Sequence, residues 1–285
     1  LIITFKKLLA LNRKTIARLQ KIMSSYNKQS MSLTFNKKGG SAICVIKGGK
    51  YDKDKVYLSD KEADDEEAYS KSFSSIKVTD GIFQPIPNKN KQRDIGFVVG
   101  ASGSGKSTFV AKYCAEYKRM FPKRDIYMFS NLAEDKSLEG IDIQRIVIGE
   151  NLLTDPLTVE DFEESLVLFD DMDVVREKLI REACYQILNE ILETGRHFRT
   201  SCIITNHLAT GPHLKRILNE CMWVCVFPSG ATRSTKYMLE SYVGVDKKEF
   251  VKIKACKSRW ACIFKNFPQC VITEKVAFML CDDAN

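Results

Sequence analysis

From Asp94 onward, short apolar runs alternate with amphipathic stretches. The segment "DIGFVVG" (94–100) is apolar, too short for a helix and closed by Gly100, which predicts a buried strand. Across residues 106–120 the apolar side chains Phe109, Val110, Tyr113, Cys114 and Tyr117 follow helical spacing, which predicts a helix with one buried stripe. "DIYMFS" (125–130), "RIVIG" (145–149), "SLVLFD" (165–170), "SCIITN" (201–206) and "MWVCVF" (222–227) read as further strands. Residues 174–193 and 212–219 read as helices. Strands alternating with helices imply an α/β fold with a mostly parallel sheet covered on both faces. After Gly244 the pattern changes. "FVKIKACKSRWACIFKN" and "QCVITEKVAF" read as shorter, antiparallel strands added at a sheet edge.

Upstream of Asp94 the periodicity weakens and charge takes over. Residues 1–50 hold eleven Lys/Arg and no Asp/Glu, whereas the whole 285-residue chain carries +8, so residues 51–285 carry −3. The basicity belongs to an N-terminal arm, 1–50, which suits either anion binding by counterion release or a solvated extension. Residues 51–93 contain the acidic patch "SDKEADDEEAY" and then Pro85, Pro87 and "NKNKQR", and read as a small β-containing lead-in. Residues 94–285 form the main domain, with a β extension over about 247–280. The chain opens on Leu1. Its apolar start is broken by Lys6 and Lys7, and no small-residue cleavage site follows, so a start lying upstream or a truncated fragment fits as well as a leader, with Met23 and Met31 as internal starts. Nowhere do roughly 18 apolar residues run together, which argues against a membrane-spanning helix.

Ten cysteines raise the question of disulfides or zinc. No CxxC pair exists, and Cys202 and Cys225 sit inside apolar runs, so the cysteines read as small buried hydrophobes in a reducing compartment.

The strongest chemical signal is "GASGSGKST", Gly100 to Thr108, which fits the phosphate-loop pattern GxxxxGK[ST]. The backbone of Gly100, Ala101, Ser102, Gly103, Ser104 and Gly105 would wrap an anion with its N–H groups. The following helix would turn its positive N-terminus to the same anion. Lys106 would reach the β- and γ-phosphates of ATP, and the Ser107 hydroxyl would bind Mg²⁺, with Thr108 completing the motif. The strand "LVLF" runs into three carboxylates. Asp170 at its end is the expected magnesium-side acid, and Asp171 is the expected base for the attacking water. Asp173 reads as the N-cap of the helix from Val174. Asn206 ends the next strand, where an amide could touch γ-phosphate or water. His207 and His213 have no acids at metal-ligand spacing and read as surface or loop residues. Arg196 and Arg199, in "ETGRHFRTS", are candidates for an arginine donated to a neighbouring subunit's γ-phosphate, against the alternative of plain surface charge.

The strand–P-loop–helix unit, "LVLFDD", "TGRHFRTSCIITNH" and "MWVCVF" together resemble the FtsK–HerA superfamily of DNA-pumping ATPases. Within it the chain looks most like the DNA-packaging ATPases of nucleocytoplasmic large DNA viruses, over roughly residues 94–275. The resemblance implies a RecA-like ASCE P-loop NTPase core, with the strand carrying the base next to the P-loop strand and small β additions at both ends. It implies a homo-oligomeric ring of five or six subunits around double-stranded DNA, capsid or portal partners, and ATP-driven packaging of a viral genome. The setting would be host cytoplasm or virion. The superfamily commonly has Gln at the strand end where this chain has the shorter Asn206, and many such ATPases have Glu where this chain has Asp171. A DNA pump needs sequence-independent phosphate contacts. Lys252, Lys254, Lys257 and Arg259 are the candidates, in a segment (247–265) that also holds Trp260 and only one acid, Glu249. A solvated edge strand kept from aggregating by its lysines is the alternative. Two other functions stay open: a nucleoside or small-molecule kinase, and an assembly protein that binds ATP without translocating.

Overall fold

The computed structural model describes residues 32–35, 37, 40–59, 72–131, 136–266 and 268–280. The expected anion-binding arm therefore lies mostly outside the described residues, as does the acidic patch.

Fifteen strands and six α-helices order the described residues. The first strands are β1 (Ser32–Thr34), β2 (Ser41–Lys47), β3 (Lys55–Ser59), β4 (Ser72–Phe73), β5 (Ser75–Lys77) and β6 (Ile82–Pro85). Then follow β7 (Ile95–Val99), α1 (Lys106–Met120), β8 (Ile126–Ser130), β9 (Gln144–Val147), α2 (Asn151–Thr154), β10 (Leu166–Asp170), α3 (Lys178–Thr194) and β11 (Ser201–Asn206). The chain continues through α4 (Leu214–Glu220), β12 (Trp223–Val226), α5 (Arg233–Met238) and α6 (Lys247–Ala255) to β13 (Ala261–Phe264), β14 (Cys270–Thr273) and β15 (Val276–Met279).

A ten-stranded mixed sheet runs in the order β5-β15-β14-β13-β12-β7-β11-β10-β8-β9. From β12 to β9 all neighbours are parallel, and from β12 outward to β5 all are antiparallel. The parallel strands need crossovers, and the helices that supply them cover the faces. On β7 the side chains of Ile95, Phe97 and Val99 point into one core cluster with α3, α4 and α6, while Val98 points into the other with α1. Gly96 shares the α1 face, where a Cβ would lie 2.1 Å from the Trp223 ring, so only glycine lets that indole lie flat across the strand.

The second sheet is antiparallel and five-stranded, β4-β1-β3-β2-β6. It is tied to the large sheet's helical layer by an ion pair from Lys47 on β2 to the buried Glu116 of α1. Burial alone would raise the Glu116 carboxyl, but hydrogen bonds from Lys47 and Arg119 hold it below the ordinary value.

Several expectations need correction. The boundary expected at residue 50 cuts the turn between β2 and β3, which pair with each other, and the expected 51–93 lead-in is shared between both sheets through β5. The strand bearing Asp170 is not next to the P-loop strand, because β11 lies between β10 and β7. The segment read as a strand after Gly244 begins as helix α6. Asp246 and Glu249 form a reciprocal capping box, with Glu249 N–H donating to Asp246 at 2.7 Å and Asp246 N–H to Glu249 at 2.8 Å. That box fixes a helical start, and Phe250 and Ile253, three apart, bury together. Residue-by-residue alternation in "FVKIKA" had mimicked a strand. The helix expected from Val174 starts only at Lys178, after a short 3₁₀ turn (Met172–Val174).

Nine cysteines among the described residues are free thiols, eight of them buried, as their apolar settings predicted. Burial pushes Cys202 and Cys270 up to about 12, so they are inert thiols. No helix among the described residues is long and apolar enough to cross a membrane.

Candidate nucleotide site

β7 ends at Val99, and the chain turns at once into the glycine-rich loop. Gly103 (φ 74°) and Gly105 (φ 107°) adopt left-handed backbone, which side chains rarely tolerate. At Gly100 a Cβ would lie 2.6 Å from the Phe227 ring and from Ser104 Oγ, so the strand-to-loop turn has no room for one. Gly105 then starts α1, whose first turn carries no acid, leaving the positive helix end uncompensated. The loop borders a cavity of about 490 Å³, walled on its other sides by His207, Phe227 and the 229–235 segment. Ser107 lies half-buried in the first turn of α1.

Parallel register brings the carboxylates to this loop. Asp170 at the end of β10 pairs with Thr205 of β11, and Asn206 pairs with Val99 of β7, so three strand ends meet at one edge of the sheet. The Thr205 hydroxyl donates to Asp170 Oδ1 at 2.8 Å and lies 3.2 Å from Asp171 Oδ1. Ser130, at the end of β8, reaches Asp170 Oδ2 at 3.4 Å. Asp171 is left-handed (φ 47°), and its N–H is held by Thr205 Oγ1 at 3.0 Å. A non-glycine residue in that region is strained, and such strain recurs where a side chain must be aimed. Here the kink carries Asp171 off the strand axis toward Lys106, whose Nζ lies 3.6 Å from Asp171 Oδ1. Asp171 makes no side-chain cap to the following turn.

Lys106 is buried. Its ammonium donates to Gly100 O at 3.0 Å and meets His207 Nδ1 at 3.1 Å. His207 Nε2 is 2.8 Å from Asp171 Oδ2. His207, in the bend that follows β11, therefore belongs to this cluster, which its reading as a surface or loop residue did not anticipate. Asp173 is not a helix cap: its Oδ2 accepts from His207 N–H at 3.2 Å, and its Oδ1 is buried without a hydrogen-bond partner. Asn206 is 4% exposed, and its Oδ1 is likewise buried without a partner. Two buried acceptors without a protein partner thus lie beside the glycine-rich loop.

The donor set fits a hard cation. Magnesium is usually held by one or two carboxylates, a hydroxyl and substrate phosphates rather than by a protein cage. Asp170 would supply the carboxylate and Ser107 the hydroxyl, and no cluster of three His, Cys, Asp or Glu suited to a metal occurs among the described residues.

The arginines sit elsewhere. Arg196 and Arg199 precede β11, so they lie at the sheet edge opposite the P-loop, about 17 Å away along the strand at ~3.3 Å per residue. Arg196 donates to Gln92 Oε1 at 2.6 Å, and Arg199 pairs with Glu164 at 2.8 Å. Neither can reach the phosphate loop of its own chain. The basic segment is also split. Lys252 and Lys254 are exposed on α6 and Lys257 follows it, whereas Arg259 pairs with Glu274 at 2.8 Å. Trp260 is buried against Phe109 of α1, with ring centroids 5.1 Å apart, and is not a surface for stacking bases.

Thr205, Ser130 and His207 are the site residues that the sequence reading missed. His207 was judged only by metal-ligand spacing. Its place directly after a strand-end Asn was the signal, since parallel strands deliver such residues to one edge.

No protein-family profile matches the chain. It is 36% identical over 243 residues to the uncharacterized protein V3 of Sputnik virophage, covering 84% of this chain and 96% of that protein. The chain belongs to the V3 family. Among solved structures, this V3-family chain is similar to B204, the DNA-packaging ATPase from Sulfolobus turreted icosahedral virus (14% identity, 65% of this chain, 98% of that one, TM-score 0.48). It is also similar to the pCW3 conjugation coupling protein TcpA with ATPγS (15% identity, 86% of this chain, 79% of that one, TM-score 0.42).

Proposed function

We propose that this chain is an ATPase that drives double-stranded DNA into a preformed viral capsid. The observation that carries the ATPase part is the convergence of Lys106, Asp170 and Asp171 at one sheet edge, with Lys106 Nζ 3.6 Å from Asp171. In this reading residues 94–285 are a RecA-like ASCE unit, in which β11 lies between the strand that ends in the P-loop and the strand that ends in Asp170. The loop 100–105 and Lys106 bind the phosphates of ATP. Ser107 and Asp170 would hold Mg²⁺, which would neutralise charge on the phosphates. Asp171 orients the attacking water, and the orphaned Asn206 Oδ1 accepts one of its hydrogens.

The translocase part rests on the sequence resemblance to FtsK–HerA pumps and fits the viral source of the V3 relative. Lys252, Lys254 and Lys257 would face DNA phosphates, and Arg259, already paired with Glu274, would contribute less. Arg196 and Arg199, remote from their own P-loop, would act on a neighbour in a ring of five or six copies. Capsid or portal proteins would be further partners, in host cytoplasm or virion. The test is ATP hydrolysis with and without double-stranded DNA of several unrelated sequences. Stimulation by all of them is expected. Phosphorylation of a small acceptor with no response to DNA would replace this reading by a kinase.

A further inference from the structure

We propose that His207 is a positioning residue that couples the P-loop lysine to the candidate base, restraining Lys106 before ATP arrives and holding Asp171 throughout. The proposal rests on the reading above, in which Lys106 binds phosphate and Asp171 orients water.

The hydrogen positions follow from the neighbours. A lysine ammonium only donates, so His207 Nδ1, 3.1 Å from Lys106 Nζ, must accept. The imidazole hydrogen then sits on Nε2, where it points at Asp171 Oδ2, 2.8 Å away. The ring is thus a neutral imidazole whose tautomer is set from both sides. Its backbone N–H is anchored on Asp173 Oδ2 at 3.2 Å, which fixes the residue at the end of β11. Lys106 meanwhile faces three protein acceptors: Gly100 O at 3.0 Å, His207 Nδ1 at 3.1 Å and Asp171 Oδ1 at 3.6 Å. Two of its three hydrogens are engaged by Gly100 and His207, and the third faces Asp171 at ion-pair rather than hydrogen-bond distance, so a phosphate that draws the ammonium forward competes with these contacts.

The His207 contact is the one whose exchange reaches the base. Giving up Gly100 O would leave a backbone carbonyl alone in the loop. Giving up His207 Nδ1 leaves the Nε2–Asp171 hydrogen bond in place, so the Asp171 carboxylate keeps its direction while Lys106 turns away. His207 therefore acts with opposite signs on two steps. Its Nδ1 opposes nucleotide binding, and its Nε2 favours turnover.

Amide side chains separate the two roles. An Asn side chain carries a polar atom where the imidazole has Nδ1, and a Gln side chain carries one where it has Nε2. The test compares wild type with His207→Asn, His207→Gln and His207→Ala. Affinity is read with a fluorescent non-hydrolysable ATP analogue, and kcat and KM from phosphate release. His207→Gln is expected to keep kcat within about threefold and to bind the analogue about tenfold more tightly, as one hydrogen bond to a charged group is worth roughly that factor or more. His207→Asn is expected to keep wild-type affinity and to lose about 10- to 100-fold in kcat. His207→Ala should combine tighter binding with slower turnover, a pairing that loss of structure does not produce. If the Asn and Gln variants change affinity and kcat together and in the same direction, His207 does not couple the two residues. If the wild-type chain binds no ATP, the proposed function fails and the coupling with it.

Discussion

Replacing Asp171 by Asn removes one negative charge and almost no volume from the centre of the site. The left-handed backbone at this position (φ 47°) is among those that Asn tolerates, so the kink survives. The Asn carbonyl can still accept from His207 at the place now held by Asp171 Oδ2, 2.8 Å from Nε2. Two quantities change. The candidate base is gone, and a positioned general base contributes about 10²–10⁴ in rate, so kcat should fall by that factor. The attraction on Lys106 is also gone. At 3.6 Å a unit charge pair is worth about 5 kcal/mol gross at an effective dielectric near 20. Hydration of a carboxylate that is 23% exposed offsets most of this, leaving about 1 kcal/mol. Lys106 is then easier to draw toward phosphate, so nucleotide affinity should stay level or rise by up to about fivefold. Phosphate release at saturating ATP reads the first quantity, and equilibrium binding of a fluorescent nucleotide reads the second. Turnover within about threefold of wild type would refute the assignment and point to Asp173, whose Oδ1 is buried without a partner in the same site. Loss of binding alongside turnover would refute the picture of Asp171 as a competitor for Lys106.

Other consequences follow from single positions. Gly96→Ala would set a methyl 2.1 Å from the Trp223 ring and should cost about 3 kcal/mol in urea unfolding, with a loss below about 0.5 kcal/mol showing that the strand and indole can part. Asp94, below β7, accepts from Tyr113 OH at 2.5 Å and Trp223 Nε1 at 3.1 Å; loss of water pushes its carboxyl up from the ordinary value, although these two hydrogen bonds pull the other way. The folded chain thus keeps that proton to higher pH than the unfolded chain, so its stabilising effect is complete below about pH 4 and is lost as pH rises through the folded value. Asp94→Asn should flatten that slope in denaturation curves taken at several pH values, and an unchanged slope would assign it to another group. Arg196→Ala, mixed with wild-type chains, should depress activity more than in proportion to its fraction, whereas a proportional fall would mean that Arg196 does not act across subunits.

The sequence by itself determined the glycine-rich loop with its P-loop pattern, the strand that runs into Asp170 and Asp171, and the parallel strand–helix alternation around them. These are local features. An apolar run of five or so residues, glycines where the backbone must turn left-handed, and a lysine at the start of a helical stripe each follow from neighbours in the chain. Helix α6 was also a local feature, since its capping box lies within four residues, but alternation in "FVKIKA" hid it. Tertiary structure decided the rest. The sequence could place Thr205 and His207 at the end of a strand, but only the register of β11 between β7 and β10 sets one against Asp170 and the other between Lys106 and Asp171. The same register sends Arg196 and Arg199 to the far edge. Side chains separated by a hundred residues meet because parallel strands align their ends, and which strand lies beside which is settled by packing of the whole sheet rather than by any stretch of the chain.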